Sequence, residues 1–116
     1  MSAPRLAVAP LKLDPSNGCV WHRGKRITLS PTDFAVLRHL AAHAGHIVTH
    51  EELLRAVWPT TTVGKGVLKV RLRRIRQALG DRAEKPRFIE TAHRRGYRFI
   101  APVSNGAPRL LVGSQP

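Results

Sequence analysis

A single cysteine, Cys19, leaves the chain with no partner for an internal disulfide, so nothing in it points to an oxidising compartment. Aromatic residues are also scarce, at 5%; sequence-specific recognition of RNA relies on such rings as stacking surfaces. No apolar run approaches the roughly 20 residues of a membrane-spanning helix. The start, M-S-A-P-R-L-A-V-A-P-L, carries prolines where a signal peptide needs a continuous apolar stretch. A cytoplasmic protein is expected. Acids are few, seven Asp and Glu, and they are scattered. Neither a Ser–His–Asp nor a Cys–His arrangement has supporting context, and there is no glycine-rich phosphate loop. Neither catalysis nor a cofactor is expected.

What is present is one domain's worth of chain, 116 residues with 42% hydrophobic side chains, enough for one core. The formal charge is +13, and its distribution is uneven. Residues 63–98 hold 12 Lys and Arg against 3 Asp and Glu, a net +9 in about a third of the chain. A compact protein tolerates such self-repulsion best when its partner is a polyanion.

The chain is organised around Val63–Asp81, V-G-K-G-V-L-K-V-R-L-R-R-I-R-Q-A-L-G-D. At about 100° per residue, Leu68, Leu72, Ile75 and Leu79 fall on one narrow stripe of a helix. The other side presents Val67, Val70, Arg73, Arg74 and Gln77, flanked by Lys69, Arg71 and Arg76. No carboxylate interrupts these cations before Asp81. Gly80 marks the stop.

Ahead of this helix, short strands are expected at Leu6–Ala9, Leu11–Asp14, Cys19–His22 and Arg26–Leu29, separated by turn residues. Ser30-Pro31-Thr32-Asp33 then starts a first helix, with Ser30 as cap, Pro31 at the first position and Asp33 in the first turn. Its apolar face is Phe34, Leu37, Leu40, Ala41 and Ala44, and Gly45 ends it. After a brief extended link at Ile47 and Val48, Thr49 and Glu52 form a capping box for a second helix reaching about Trp58. Two helices joined by a short turn before a basic helix is the helix-turn-helix pattern. Beyond it, Arg87–Thr91 and Tyr97–Ile100 read as the strands of a hairpin, tipped by His93, Arg94 and Arg95 and turned by Gly96. From Pro102 the periodicity ceases; residues 1–103 are taken as the domain and 104–116 as a linker or tail.

Histidines recur at 39, 43, 46 and 50. His39 and His43 stand one helical turn apart, a geometry that binds zinc. Both lie opposite the apolar face, with no nearby carboxylate or cysteine in sequence, so no metal site is expected. Cys19 and Tyr97 are expected to serve packing.

Four segments, in order, resemble the OmpR/PhoB-type winged-helix domain of bacterial transcription regulators: L-S-P-T-D-F-A-V-L, E-E-L-L-x-x-V-W-P, V-L-K-V-R-L-R-R-I-R-Q-A-L-G-D and F-I-E-T-A-H-R-R-G-Y-R-F. The resemblance covers about residues 11–103. It implies an α+β winged helix-turn-helix: an N-terminal antiparallel sheet, three helices and a C-terminal β-hairpin wing. It further implies sequence-specific binding of double-stranded DNA and regulation of transcription. Val63–Leu79 would then lie in the major groove and Thr91–Arg98 at the backbone and minor groove. Base readers would be Arg74, with Val67, Val70 and Arg71 as near contacts. Lys69, Arg73, Arg76, Thr91 and the indole of Trp58 would hold phosphates, and His93, Arg94 and Arg95 would form the wing. RNA polymerase is a further implied partner through the loop Pro59–Gly66, which here has Thr, Gly and Lys65 in place of the acids many relatives carry. Cooperative pairing on tandem half-sites and a place on the nucleoid are implied as well. No receiver domain precedes the first strand, so the chain resembles the N-terminal piece of a longer regulator. A basic RNA-binding domain, or a winged helix whose cations meet an acidic protein, are the competing readings.

Overall fold

The computed structural model describes residues 10–104; the strand expected at Leu6–Ala9 and most of the expected tail lie outside them. Three strands, β1 (Leu11–Asp14), β2 (Cys19–His22) and β3 (Lys25–Thr28), form an antiparallel meander. Each is four residues, so one face supplies only a few apolar side chains. Leu11, Val20 and Leu29 go into the core, while Lys12, Trp21 and Arg26 point outward.

Ser30 begins α1 (Pro31–Ala42) as its sequence promised: its hydroxyl accepts from the Asp33 N–H at 3.1 Å. The helix stops three residues before Gly45. His43 N–H turns back to Leu40 O at 3.1 Å and Ala44 N–H to Ala41 O at 3.2 Å, tightening the last turn before Gly45 takes its positive φ. Thr49 caps α2 (His50–Val57), accepting from Glu52 N–H at 3.1 Å. The expected capping box is only half formed, because the Glu52 carboxylate is directed across to His39 of α1.

The basic helix, α3 (Lys65–Leu79), begins two residues after the expected Val63, with Gly64 at its cap position. Its exit is a Schellman motif: Gly80 sits at φ 72°, its N–H on Gln77 O, and Asp81 N–H reaches Arg76 O at 2.8 Å. Leu68, Leu72, Ile75 and Leu79 are all buried, forming one core with Phe34, Val36, Leu37 and Leu40 of α1. Each such burial is worth about 1.5–3 kcal/mol.

The remaining strands are β4 (Ile47–Thr49), β5 (Ile89–Ala92), β6 (Gly96–Phe99) and β7 (Val103–Ser104). The residues read as an extended link are β4, which pairs antiparallel with β6 and completes a three-stranded sheet, β4-β6-β5. The hairpin starts two residues later than expected. The backbone N–H groups of Arg87, Phe88 and Ile89 all donate to the buried Asp81 carboxylate, at 2.7, 3.2 and 2.9 Å, leaving Arg87 and Phe88 without ladder bonds to give. Val103–Ser104, at the start of the stretch that lacks periodicity, pairs in parallel with β1, so the N-terminal sheet is mixed, β3-β2-β1-β7. The architecture is the α+β winged helix-turn-helix: two small sheets flank three helices, with the β5–β6 hairpin beside α3.

Candidate nucleic-acid interface

Burying the leucine stripe of α3 turns its opposite side outward. Val67 and Val70 remain 38% and 45% exposed, and Lys69, Arg73, Arg74 and Gln77 are exposed with them. An apolar pair ringed by amide and guanidinium groups can meet both a thymine methyl and the acceptor edge of guanine.

The arginines of α3 differ in their partners. Asp33, buried in the first turn of α1, receives Nη1 of Arg71 at 3.2 Å and lies 3.4 Å from Nε of Arg74. Arg71 is thereby drawn in, its side chain 29% exposed, while Arg74 keeps 58%. Held at Nε, Arg74 still has its two terminal nitrogens for a ligand. Arg76 is half-buried and spans the gap to the hairpin: its Nη2 donates to Ile89 O and to Thr91 Oγ1, both at 2.9 Å. Sequence periodicity placed Arg71 and Arg76 on the flanks of the stripe; the structure gives both an internal partner. Among the described residues, Lys69 and Arg73 have no such partner.

Between α3 and the hairpin runs a groove lined by Lys69, Arg73, Arg76, Gln77, Thr91 and Tyr97. Tyr97, expected in packing, is buried at 3% exposure and meets the His50 ring edge-on at 5.5 Å. Burial pushes its hydroxyl pKa above the ordinary 10.0, against a smaller opposing pull from Arg76. Trp58 caps the end of α2 and is partly buried against the core.

At the hairpin tip His93, Arg94 and Arg95 are all exposed. Arg95 N–H closes the turn on Ala92 O at 2.9 Å, and Arg94 holds φ 64°, a left-handed conformation in which an L side chain costs about 1–2 kcal/mol. The turn therefore does not use Gly96, contrary to the sequence reading. Gly96 is buried in β6, and a Cβ there would run into the Val48 carbonyl and lie 2.8 Å from Thr49 Cα. Its role is close approach of two strands. Arg95 O also accepts from His50 N–H at 3.2 Å, tying the tip to the start of α2.

Two acids that sequence reasoning left with minor roles, Asp33 and Asp81, prove to set the geometry of this surface. The Asp33–Arg71 contact spans 38 residues and those of Asp81 span 6–8, beyond the one-turn range in which capping patterns are read. A second difference concerns the histidines. His39 and His43 are joined by a carboxylate after all, that of Glu52 on α2, whose Oε2 is 2.9 Å from His39 Nε2.

Residues 24–99 match the family model for the C-terminal domain of transcriptional regulatory proteins. Over 104 residues the chain is 30% identical to the transcriptional activator CadC of Escherichia coli, covering 89% of this chain and 20% of CadC. It is 36% identical over 97 residues to the transcriptional regulatory protein CutR of Streptomyces coelicolor, covering 83% of this chain and 43% of CutR. The chain thus spans less than half the length of these relatives. Among solved structures, the DNA-binding domain of Klebsiella pneumoniae RstA in complex with the RstA box superposes with a TM-score of 0.72. It is 33% identical and covers 81% of this chain and 94% of that one.

Proposed function

The chain belongs to the OmpR/PhoB-type family of transcriptional regulatory domains, and on that premise we propose that it binds double-stranded DNA sequence-specifically to regulate bacterial transcription. The observation that carries this reading is the outward side of α3. Val67, Val70, Arg73 and Arg74 are exposed there on a helix whose other side is core, with the cationic hairpin tip alongside. In this reading α3 enters the major groove and residues 91–98 follow the backbone into the minor groove.

Arg74 is the principal base reader, with Val67 and Val70 against thymine methyls. Arg71 reaches a base edge only by leaving Asp33, so its contribution is mainly to hold the carboxylate that orients Arg74. Lys69, Arg73, the joined pair Arg76–Thr91 and the Trp58 indole take phosphates, as do His93, Arg94 and Arg95 on the wing. Such a regulator acts in the cytoplasm on the nucleoid. Contact with RNA polymerase through the loop from Pro59 to Gly66 and cooperative pairing on tandem half-sites are further parts of the reading.

The test begins with selection of bound sites from random duplexes, followed by anisotropy titrations of the selected site, a scrambled duplex and a matched RNA across a salt series. For DNA, log K should fall with log salt by about 0.9 per phosphate contact. Arg74→Ala should lose about 1–3 kcal/mol of discrimination at one base pair, while Arg73→Ala should weaken every sequence alike. Equal behaviour of the two variants on cognate and scrambled DNA would sink the division of roles, and a preference for RNA would sink the function.

A further inference from the structure

Away from the interface, three metal-ligating side chains converge where α1 meets α2. His39 and His43 stand one turn apart at the end of α1, and Glu52 enters from the first turn of α2. One donor atom from each lies within 4.8 Å of the others, and the two imidazole centroids are 4.6 Å apart. Zinc bonds these atom types at about 2.0–2.2 Å, which puts neighbouring tetrahedral ligands about 3.3 Å from one another. The 2.9 Å between His39 Nε2 and Glu52 Oε2 is already close to that spacing, and the third donor, on His43, lies within 4.8 Å of both.

The hydrogen bond behind His43 favours ligation, while the proton that His39 Nε2 donates to the Glu52 carboxylate is the one the ion displaces to solvent. His43 Nδ1 is 2.9 Å from His39 O. A carbonyl only accepts, so Nδ1 carries the proton and the lone pair of neutral His43 is at Nε2. Fixing the tautomer through a backbone carbonyl is the usual support behind a metal-binding imidazole. Glu52 is carried on a turn whose N–H is held by Thr49 Oγ1. The His39 side chain is 24% exposed and that of Glu52 42%, with His43 exposed, so solvent reaches the remaining coordination position.

We propose that His39, His43 and Glu52 bind one divalent zinc-class ion with a water as fourth ligand, and that the ion clamps α1 to α2. Nothing in this depends on DNA binding, and the test does not use DNA.

Chelator-treated, tag-free protein is titrated with zinc sulfate by calorimetry, and its thermal unfolding is followed with and without the metal. One equivalent should bind saturably and raise Tm. His43→Ala should weaken binding by at least about tenfold and abolish most of the rise in Tm that zinc produces in the parent. Glu52→Gln, which keeps the shape of the side chain, should weaken it too. His46→Ala, outside the cluster, should bind as the parent does. Absence of saturable binding, or full affinity in both His43→Ala and Glu52→Gln, overturns the proposal; in the second case the ion sits on other histidines.

Discussion

Arg71 and Arg74 of α3 share one buried carboxylate, whereas Arg94 and Arg95 at the hairpin tip stand exposed on a tight turn, with no side-chain partner among the described residues. Arg71 and Arg74 lose part of their rotamer freedom on folding. The tip cations keep theirs until something binds, at about 0.5–1.5 kcal/mol for each side chain then ordered. A cation positioned in advance can discriminate between base edges, because a misplaced partner leaves its hydrogen bonds unmade. A loose cation follows whatever phosphate is nearest and adds affinity that salt removes. In the proposed reading, the two halves of one basic surface are therefore suited to different parts of recognition.

The contrast can be broken most forcefully at Asp33. Asp33→Ala leaves Arg71 half-buried without its carboxylate, and loss should be about 2–3 kcal/mol in urea unfolding. That is below the full cost of breaking a buried pair, because both arginines retain some access to water. The double variant Arg94→Ala, Arg95→Ala should leave stability nearly unchanged. If the two variants unfold alike, Asp33 does not organise the helix cations.

On DNA the order should reverse in kind. The double wing variant should lower affinity for every duplex and reduce the salt slope by about 1–2, roughly 0.9 for each phosphate contact removed. A change confined to one base position would instead make the tip a reader. A smaller effect sharpens the view of the turn itself. Arg94→Gly should relieve the left-handed φ of 64° and raise stability by about 0.5–1 kcal/mol, measured by thermal unfolding, while weakening DNA binding. Stability and affinity would then move in opposite directions at one position.

The smallest effect concerns the seam between the two halves. Tyr97 is the one tyrosine of the chain, so absorbance near the tyrosinate band reports it alone. Its folded pKa is raised above the unfolded value of 10.0 by burial. The stability it contributes should therefore be intact below that pH and lost as pH rises through the folded value. Tyr97→Phe should remove this component from the alkaline limb of the stability profile. A titration midpoint at or below 10.0 would mean the groove beside Arg76 is open to water.

Much of this was legible in the residues. The cap at Ser30, the cap at Thr49, the stop at Gly80 and the stripe Leu68–Leu72–Ile75–Leu79 are local patterns, and all four appear where their chemistry puts them. The errors share one source. β5 begins late because Asp81, seven residues back, takes Phe88 N–H. Gly96 serves a contact with β4 almost fifty residues away, and Val103–Ser104 becomes a strand only because β1 offers an edge. Glu52 looked like half of a capping box until α1 brought His39 within reach.

By itself the sequence determined which side of α3 would be buried, where the cations would cluster and which segments would be helical, since these follow from periodicity and capping within a few residues. Only the tertiary structure decided which of those cations would be held and which left loose. That choice depends on where a handful of carboxylates come to rest, and a carboxylate's reach is set by folding the chain, not by position along it.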